Sequence, residues 1–240
     1  MFYKIFIPIF SVFVLLSFNV NKTKTTKVAA NKGAVSNVTL SIDSKIQLVY
    51  DSLQTNQFQL PKEECFAQAL KGFYALKEKG VIKRDILTLV DFSLSSNEKR
   101  LWIIDLCANK ILFQSLVAHG KNTGDEYANN FSNSPDSFKS SLGFYATGEV
   151  YYGIHGISLK LDGLERGIND YARKRAVVMH GADYVSESFI KGHKRLGRSL
   201  GCPAVPVEFA SEIITLIKDH SCLYIYHPCL IHSNESKLIS

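Results

Sequence analysis

The feature that most limits what this chain can fold into is a change of hydrophobic period near residue 86. Before it, apolar residues recur at helical spacing. Ile42, Ile46, Val49, Tyr50 and Leu53 form one stripe, and Phe66, Ala69, Leu70, Phe73 and Leu76 form another. Residues three and four apart share a helix face, so each stripe predicts an amphipathic helix turned toward a core. Pro61 and Gly80 stand near the start and end of the second, where helix punctuation belongs. From residue 86 short apolar runs take over. Segments 86–92, 101–107 and 111–118 read as strands, the last two joined by a hairpin at Ala108-Asn109-Lys110. Segments 143–150 and 151–161 predict two more, turning around Thr147-Gly148-Glu149. Segment 176–179 predicts a short buried strand, Pro206 opens a helix through His220, and 223–226 predicts a closing strand. No internal repeat is visible. The expectation is an α+β, mainly β, domain over 85–232 behind a helical lead-in over 41–84.

The 240 residues are 46% hydrophobic, enough for one good-sized core and unlike a disordered composition. The net charge of +6 is spread along the chain without a dense Lys/Arg block. It fits a solvated basic surface, and after that affinity for an anionic cell-wall polymer. Nucleic acid is not an expected partner, because no binding motif accompanies the charge. Residues 1–20 open on Met1-Phe2-Tyr3-Lys4, a short basic start, and continue as an apolar run, the layout of a signal peptide or signal anchor. The run is short for a membrane span, which needs about 20 apolar residues. Val28-Ala29-Ala30 is a candidate cleavage site, and 21–40 reads as a polar flexible linker. Export to the periplasm or cell envelope is implied, with membrane attachment only if the segment stays uncleaved. The five cysteines are Cys65, Cys107, Cys202, Cys222 and Cys229; an odd number leaves at least one thiol without an intramolecular partner. Cys222 and Cys229 flank a strand-like run and could pair.

Cys202 stands apart from the rest. It lies in Gly-Arg-Ser-Leu-Gly-Cys-Pro (197–203), downstream of His180 in Val-Val-Met-His-Gly (177–181). A thiol between glycine and proline, with a histidine delivered by a strand, is the layout of a Cys/His nucleophile site, since the thiolate is the reactive species. Gly201 removes a side chain just before the thiol, so a substrate carbonyl can approach the backbone N–H groups of Leu200, Gly201 and Cys202. Pro203 contributes no such donor. Arg198 and Arg195 would favour a thiolate or an anionic substrate. His155, in Gly-Ile-His-Gly, is the rival base, while His119 and His193 are weaker candidates. His180, His155 and Cys202 lack the spacing of a zinc motif, and His119-Gly120-Lys121-Asn122-Thr123-Gly124 lacks the upstream glycine of a phosphate loop. No metal and no cofactor are expected.

His180-Gly181 followed by Ser199-Leu200-Gly201-Cys202 resembles the signature of the L,D-transpeptidase catalytic domain, the YkuD-like family, over roughly residues 85–228. The resemblance implies a β-sandwich with flanking helices. It implies that Cys202 attacks a peptidoglycan stem tetrapeptide at its L-to-D bond, with His180 as base, the Gly181 carbonyl orienting the imidazole, and Ser199, Leu200 and Gly201 at the oxyanion site. Resolution of the thioester by a neighbouring stem would give a 3-3 cross-link; resolution by water would make the chain an L,D-carboxypeptidase. A non-catalytic wall-binding module is the reading from another class. The chain departs from the family pattern at Leu200, where a second histidine is usual, and at Ala204, where Arg or Asn is usual. Arg198 or Arg195 would then take over the anchoring of substrate.

Overall fold

Helix α1 (Ile42–Asp51) starts at Ser41, whose hydroxyl accepts the Ser44 N–H at 3.1 Å and so satisfies an end group the helix cannot. Helix α2 (Glu63–Glu78) carries Glu63 and Glu64 in its first turn and Lys77 in its last, both favourable to the helix dipole. Gly80 ends the segment at φ +69, a left-handed conformation that glycine adopts without a Cβ penalty. The structure is a computed structural model and describes residues 41–229 and 236–239. The expected signal segment and linker lie outside the described residues.

Eight strands follow: β1 (Ile86–Asp91), β2 (Leu101–Asp105), β3 (Lys110–Ser115), β4 (Gly143–Gly153), β5 (Gly156–Gly163), β6 (Val178–Gly181), β7 (Ala204–Val205) and β8 (Cys222–Tyr226). They form one hydrogen-bonded sheet in the order β3-β2-β1-β8-β4-β5-β6-β7. The α+β, mainly β, class holds. The last strand does not close an edge, because β8 runs parallel to β1 and antiparallel to β4 in the middle of the sheet. Every residue of β1 and of β8 is buried, and α2 packs on both strands while helix α4 (Val207–Ile217) also packs on β1. Cover of this kind explains why both strands read as unbroken apolar runs rather than alternating ones. Phe66, Leu70 and Phe73 of α2 share a single core with Leu89, Phe144 and Tyr224 of the sheet. The approach is tightest at Gly72, where a Cβ would lie 2.0 Å from the Phe144 ring.

The turn expected at Thr147-Gly148-Glu149 is not a turn. Thr147 pairs with Leu161 and Val150 with Leu159, so β4 carries one extra residue against β5, a β-bulge. Glu149 on this bulge pairs with Arg173, which also grips Asp162. The chain reverses at Ile154-His155, where Gly153 faces Gly156 and Gly156 takes φ +72. His155 is thereby carried to a hairpin tip. Pro206 caps α4 as expected, but α4 ends at Ile217, and Asp219 and His220 turn back with positive φ to enter β8. Helix α3 (Glu187–His193), capped by Ser186, has no stripe in the sequence to announce it and buries no residue. Cys222 is a buried free thiol in β8, so the Cys222–Cys229 pairing does not form. Among the described residues no helix is long and apolar enough to cross a membrane.

Candidate active site

The site is assembled by strand register at one end of the sheet. His180 in β6 pairs with Ser158 in β5 on one side and with Ala204 in β7 on the other. Cys202 is two residues before Ala204, so the β6–β7 pairing fixes where the nucleophile turn leaves the sheet. A small apolar cluster of Leu116, Ala118, Val185, Leu196 and Ala204, with Tyr184 and Ile190 against it, supports the turn.

His180 is 3% exposed, and its Nδ1 lies 2.9 Å from the Gly181 carbonyl oxygen. A carbonyl only accepts, so Nδ1 carries the proton of the neutral ring and Nε2 keeps its lone pair. Burial holds the imidazole below its ordinary pKa, and the neighbouring His155 adds to this, against the opposing pull of the Gly181 carbonyl. Burial likewise pushes the Cys202 thiol up, partly offset by the Val178 backbone and by Arg175. The resting pair is therefore neutral thiol and neutral imidazole. The thiol donates to the Ala176 carbonyl at 3.9 Å, and Ala176 itself holds φ +52, unusual for a residue with a Cβ.

The nucleophile turn is held from within and from behind. Ser199 Oγ donates to the Cys202 carbonyl at 2.6 Å and accepts the Gly201 N–H at 3.0 Å. Gly201 adopts φ +126, and a Cβ there would meet the Lys139 carbonyl oxygen at 2.8 Å and Arg175 Nη2 at 3.3 Å. Behind the turn, the Ser199 N–H donates to the His119 carbonyl at 3.0 Å and the Lys121 N–H to the Ser199 carbonyl at 2.8 Å. His119 is buried. Its Nδ1 lies 2.8 Å from Nη2 of the fully buried Arg100, whose guanidinium also donates to the Val117 and Leu94 carbonyls. Burial and Arg100 lower His119 to about 4.

The structure brings Cys202, His180, Gly181, Ser199, Leu200, Gly201 and His155 to one locality, and His155 stacks on His180 at 4.3 Å between centroids. It draws the two flanking arginines elsewhere. Arg198 donates to Asp125 at 2.6 Å and to the Lys121 and Gly124 carbonyls, and Arg195 lies 3.8 Å from the same carboxylate. The cation that acts on the thiol is Arg175, which sequence reasoning missed. Its only sequence signal is the basic run Arg173-Lys174-Arg175 just ahead of β6. Tyr184 was also missed. Its ring fills the space a side chain at Gly197 would need, and burial, with Cys202 nearby, pushes its hydroxyl to about 12. His193 bonds the Phe189 carbonyl on exposed α3, away from this machinery.

Residues 58–226 match the model of a family described as the L,D-transpeptidase catalytic domain. The chain belongs to that family. Among solved structures it is similar to an L,D-transpeptidase from Mycobacterium smegmatis, at 10% identity and a TM-score of 0.36, covering 60% of this chain and 59% of that one. It is also similar to an L,D-transpeptidase from Xylanimonas cellulosilytica, at 11% identity and a TM-score of 0.33, covering 77% of this chain and 92% of that one. The L,D-transpeptidase-family chain thus spans about three-fifths of the mycobacterial protein's length. No curated protein matches it.

Proposed function

We propose that this chain is an exported cysteine acyltransferase that acts on peptidoglycan stem peptides in the periplasm or cell envelope, with L,D-transpeptidation as its reaction. One observation carries the reading. The β6–β7 register sets a histidine, pinned in its Nδ1–H form by the Gly181 carbonyl, beside the strand that emerges from the Cys202 turn. A binding module has no need of a buried base in a fixed tautomer.

Because thiol and imidazole are both neutral at rest, the proton moves as the bond forms. Cys202 Sγ attacks the carbonyl carbon of the L-to-D bond while its proton passes to His180 Nε2. The Leu200 and Cys202 N–H groups stabilise the oxyanion, whereas the Gly201 N–H is already committed to Ser199 Oγ. The C–N bond then breaks, His180 returns the proton to the leaving amine of the terminal D-alanine, and a thioester remains on Cys202. An amine from a neighbouring stem, deprotonated by His180, attacks the thioester and expels the thiolate, giving a 3-3 cross-link.

The test is intact mass spectrometry after incubation with disaccharide-tetrapeptide. Expected is a thioester adduct on the wild type, absent from Cys202→Ala, with D-alanine released. D-alanine released to water alone, with no cross-linked product when an acceptor stem is present, makes the chain a carboxypeptidase. Absence of both adduct and D-alanine removes the acyl-transfer reading in favour of a wall-binding module.

A further inference from the structure

Two adjoining cavities, of about 650 and 340 Å³, share Phe58, Lys99 and Gln114 and so make one groove beside β3. The groove reaches α4 at Pro206 and Phe209. Its outer wall, segment 56–59, is tied to the sheet. Trp102 Nε1 donates to the Gln59 carbonyl at 2.7 Å, the Gln59 N–H to Gln114 Oε1 at 3.2 Å, and Asn56 Nδ2 to the Ile111 carbonyl at 3.0 Å. Asn56 and Gln57 are held there in the left-handed region, at φ +50 and +71.

The lining selects a ligand by its chemistry. Phe58, Phe113 and Phe209 offer apolar rings, the last two edge to face at 5.4 Å between centroids. Beside them stand the exposed amides of Asn56, Gln57 and Gln59. An amide both donates and accepts, as sugar hydroxyl and acetamido groups require, while the C–H face of a sugar ring packs on an aromatic ring. Ser115 also lines the groove and is 2% exposed, and its hydroxyl has no hydrogen-bond partner among the described residues. A buried hydroxyl left in this way costs stability until a ligand group meets it. Charge narrows the choice. Glu98, Glu187 and Glu208 outnumber Lys99 in the lining, and none of the four forms an ion pair among the described residues. The groove is acidic on a basic chain, so it repels anions, while its carboxylates accept readily from the hydroxyls of a neutral ligand.

The groove lies within reach of the nucleophile. Pro206 is four residues from Cys202, a span of at most about 14 Å. A lactyl group and three extended residues separate the sugar of peptidoglycan from the carbonyl that Cys202 attacks, about 13 Å by the same measure. We propose that this groove holds the glycan strand of peptidoglycan by its N-acetylated sugars and so presents the attached stem to Cys202. The assignment rests on the acyl-transfer reading above for its substrate, and adds to it a second binding site that takes no part in the chemistry.

The probe is a tetramer of N-acetylglucosamine, which carries no stem and cannot acylate Cys202. Calorimetric titration should show saturable binding to wild type. Binding should be about tenfold weaker in Phe209→Ala, which removes an exposed ring, and in Gln57→Gly, which removes an amide where the backbone already suits glycine. Wild type should also form its thioester faster from disaccharide-tetrapeptide than from free tetrapeptide, through KM, and Phe209→Ala should lose this advantage. No binding of the tetramer, or equal acylation by the two donors in wild type, overturns the groove and leaves acyl transfer standing. Binding of tetralysine in place of the saccharide gives the groove to a cationic peptide and overturns it as well. Saccharide binding that Phe209→Ala weakens, with no thioester from either donor, supports the groove and overturns acyl transfer.

Discussion

His155 at the β4–β5 hairpin tip and His180 in β6 stack with ring centroids 4.3 Å apart and planes 23° from parallel. The stack covers the base, and charge on His155 opposes protonation of His180. Replacing His155 with Ala should raise the His180 pKa toward its ordinary value and move the acid limb of the acylation profile to higher pH. Replacing it with Phe should retain the cover and remove only the charge, giving a smaller move. Rate against pH for the two variants checks this. His180→Ala should instead cost acylation about 10²- to 10⁴-fold at pH 7.

The neutral resting pair predicts a particular response to alkylating agents. A preformed thiolate–imidazolium pair would react at a rate flat across neutral pH. Here burial raises the thiol and lowers the imidazole, so little thiolate exists at pH 7. Alkylation of Cys202 by iodoacetamide should climb steadily from pH 6 to 9, while enzymatic acylation, which moves the proton during attack, should already be near its plateau at pH 7. A flat alkylation profile would contradict the neutral pair.

His119 links stability to pH. Its pKa is about 4 in the fold and about 6.5 when unfolded, so between those values the unfolded chain binds a proton that the folded chain refuses. Stability contributed by the neutral ring is complete above pH 6.5 and falls as pH drops toward 4, by about 3 kcal/mol in all. The urea midpoint should therefore decline over this window, and His119→Gln should flatten the decline. Arg100→Met should lower stability above pH 6.5 by about 3 kcal/mol, because the Val117 and Leu94 carbonyls lose their buried donor.

Much of this was legible in the sequence, and the rest was not for identifiable reasons. The α1 and α2 stripes and the apolar run of β1 were readable because burial on one face or on both writes itself into periodicity. Cys202 and His180 were readable because glycines flank each of them, at Gly201 and Gly181. The Gly148-Glu149 signal was misread because a bulge and a turn use the same residue types; only the pairing of Thr147 with Leu161 and of Val150 with Leu159 tells them apart. Arg175 was overlooked in favour of Arg198 and Arg195 because proximity in sequence says nothing about which cation meets an acid first. Asp125 takes both of those, and the place of Arg175 is set by its bonds to the 132–141 segment, which only tertiary packing brings to it.

Gly201→Ala tests whether the turn tolerates any side chain. The added carbon would lie 2.8 Å from the Lys139 carbonyl oxygen, a backbone atom that cannot swing away, at a φ of +126 that alanine avoids. Strain of about 1–3 kcal/mol should appear as a lower melting temperature, and displacement of the adjacent sulfur should lower acylation more than stability alone explains. Alkylation of the folded variant with iodoacetamide separates a displaced thiol from an unfolded one.

Arg175 has two separable roles, and two variants tell them apart. Its guanidinium spans Ser132, Ser137, Lys139 and Ser141, tying the 132–141 segment to the stretch that leads into β6, and its charge favours the Cys202 thiolate. Arg175→Lys keeps a cation but cannot reach all four oxygens, because an ammonium is a single point rather than a planar fork. Arg175→Gln keeps some hydrogen bonding and loses the charge. If charge is what reaches the sulfur, Arg175→Gln should shift the alkylation profile of Cys202 to higher pH, and Arg175→Lys should leave it nearer wild type. If the tether matters for catalysis, both variants should lower the maximal acylation rate, with Arg175→Lys doing so at a nearly unchanged alkylation profile. Identical alkylation profiles in all three proteins would show that the field of Arg175 does not reach the thiol, leaving it a structural tie alone.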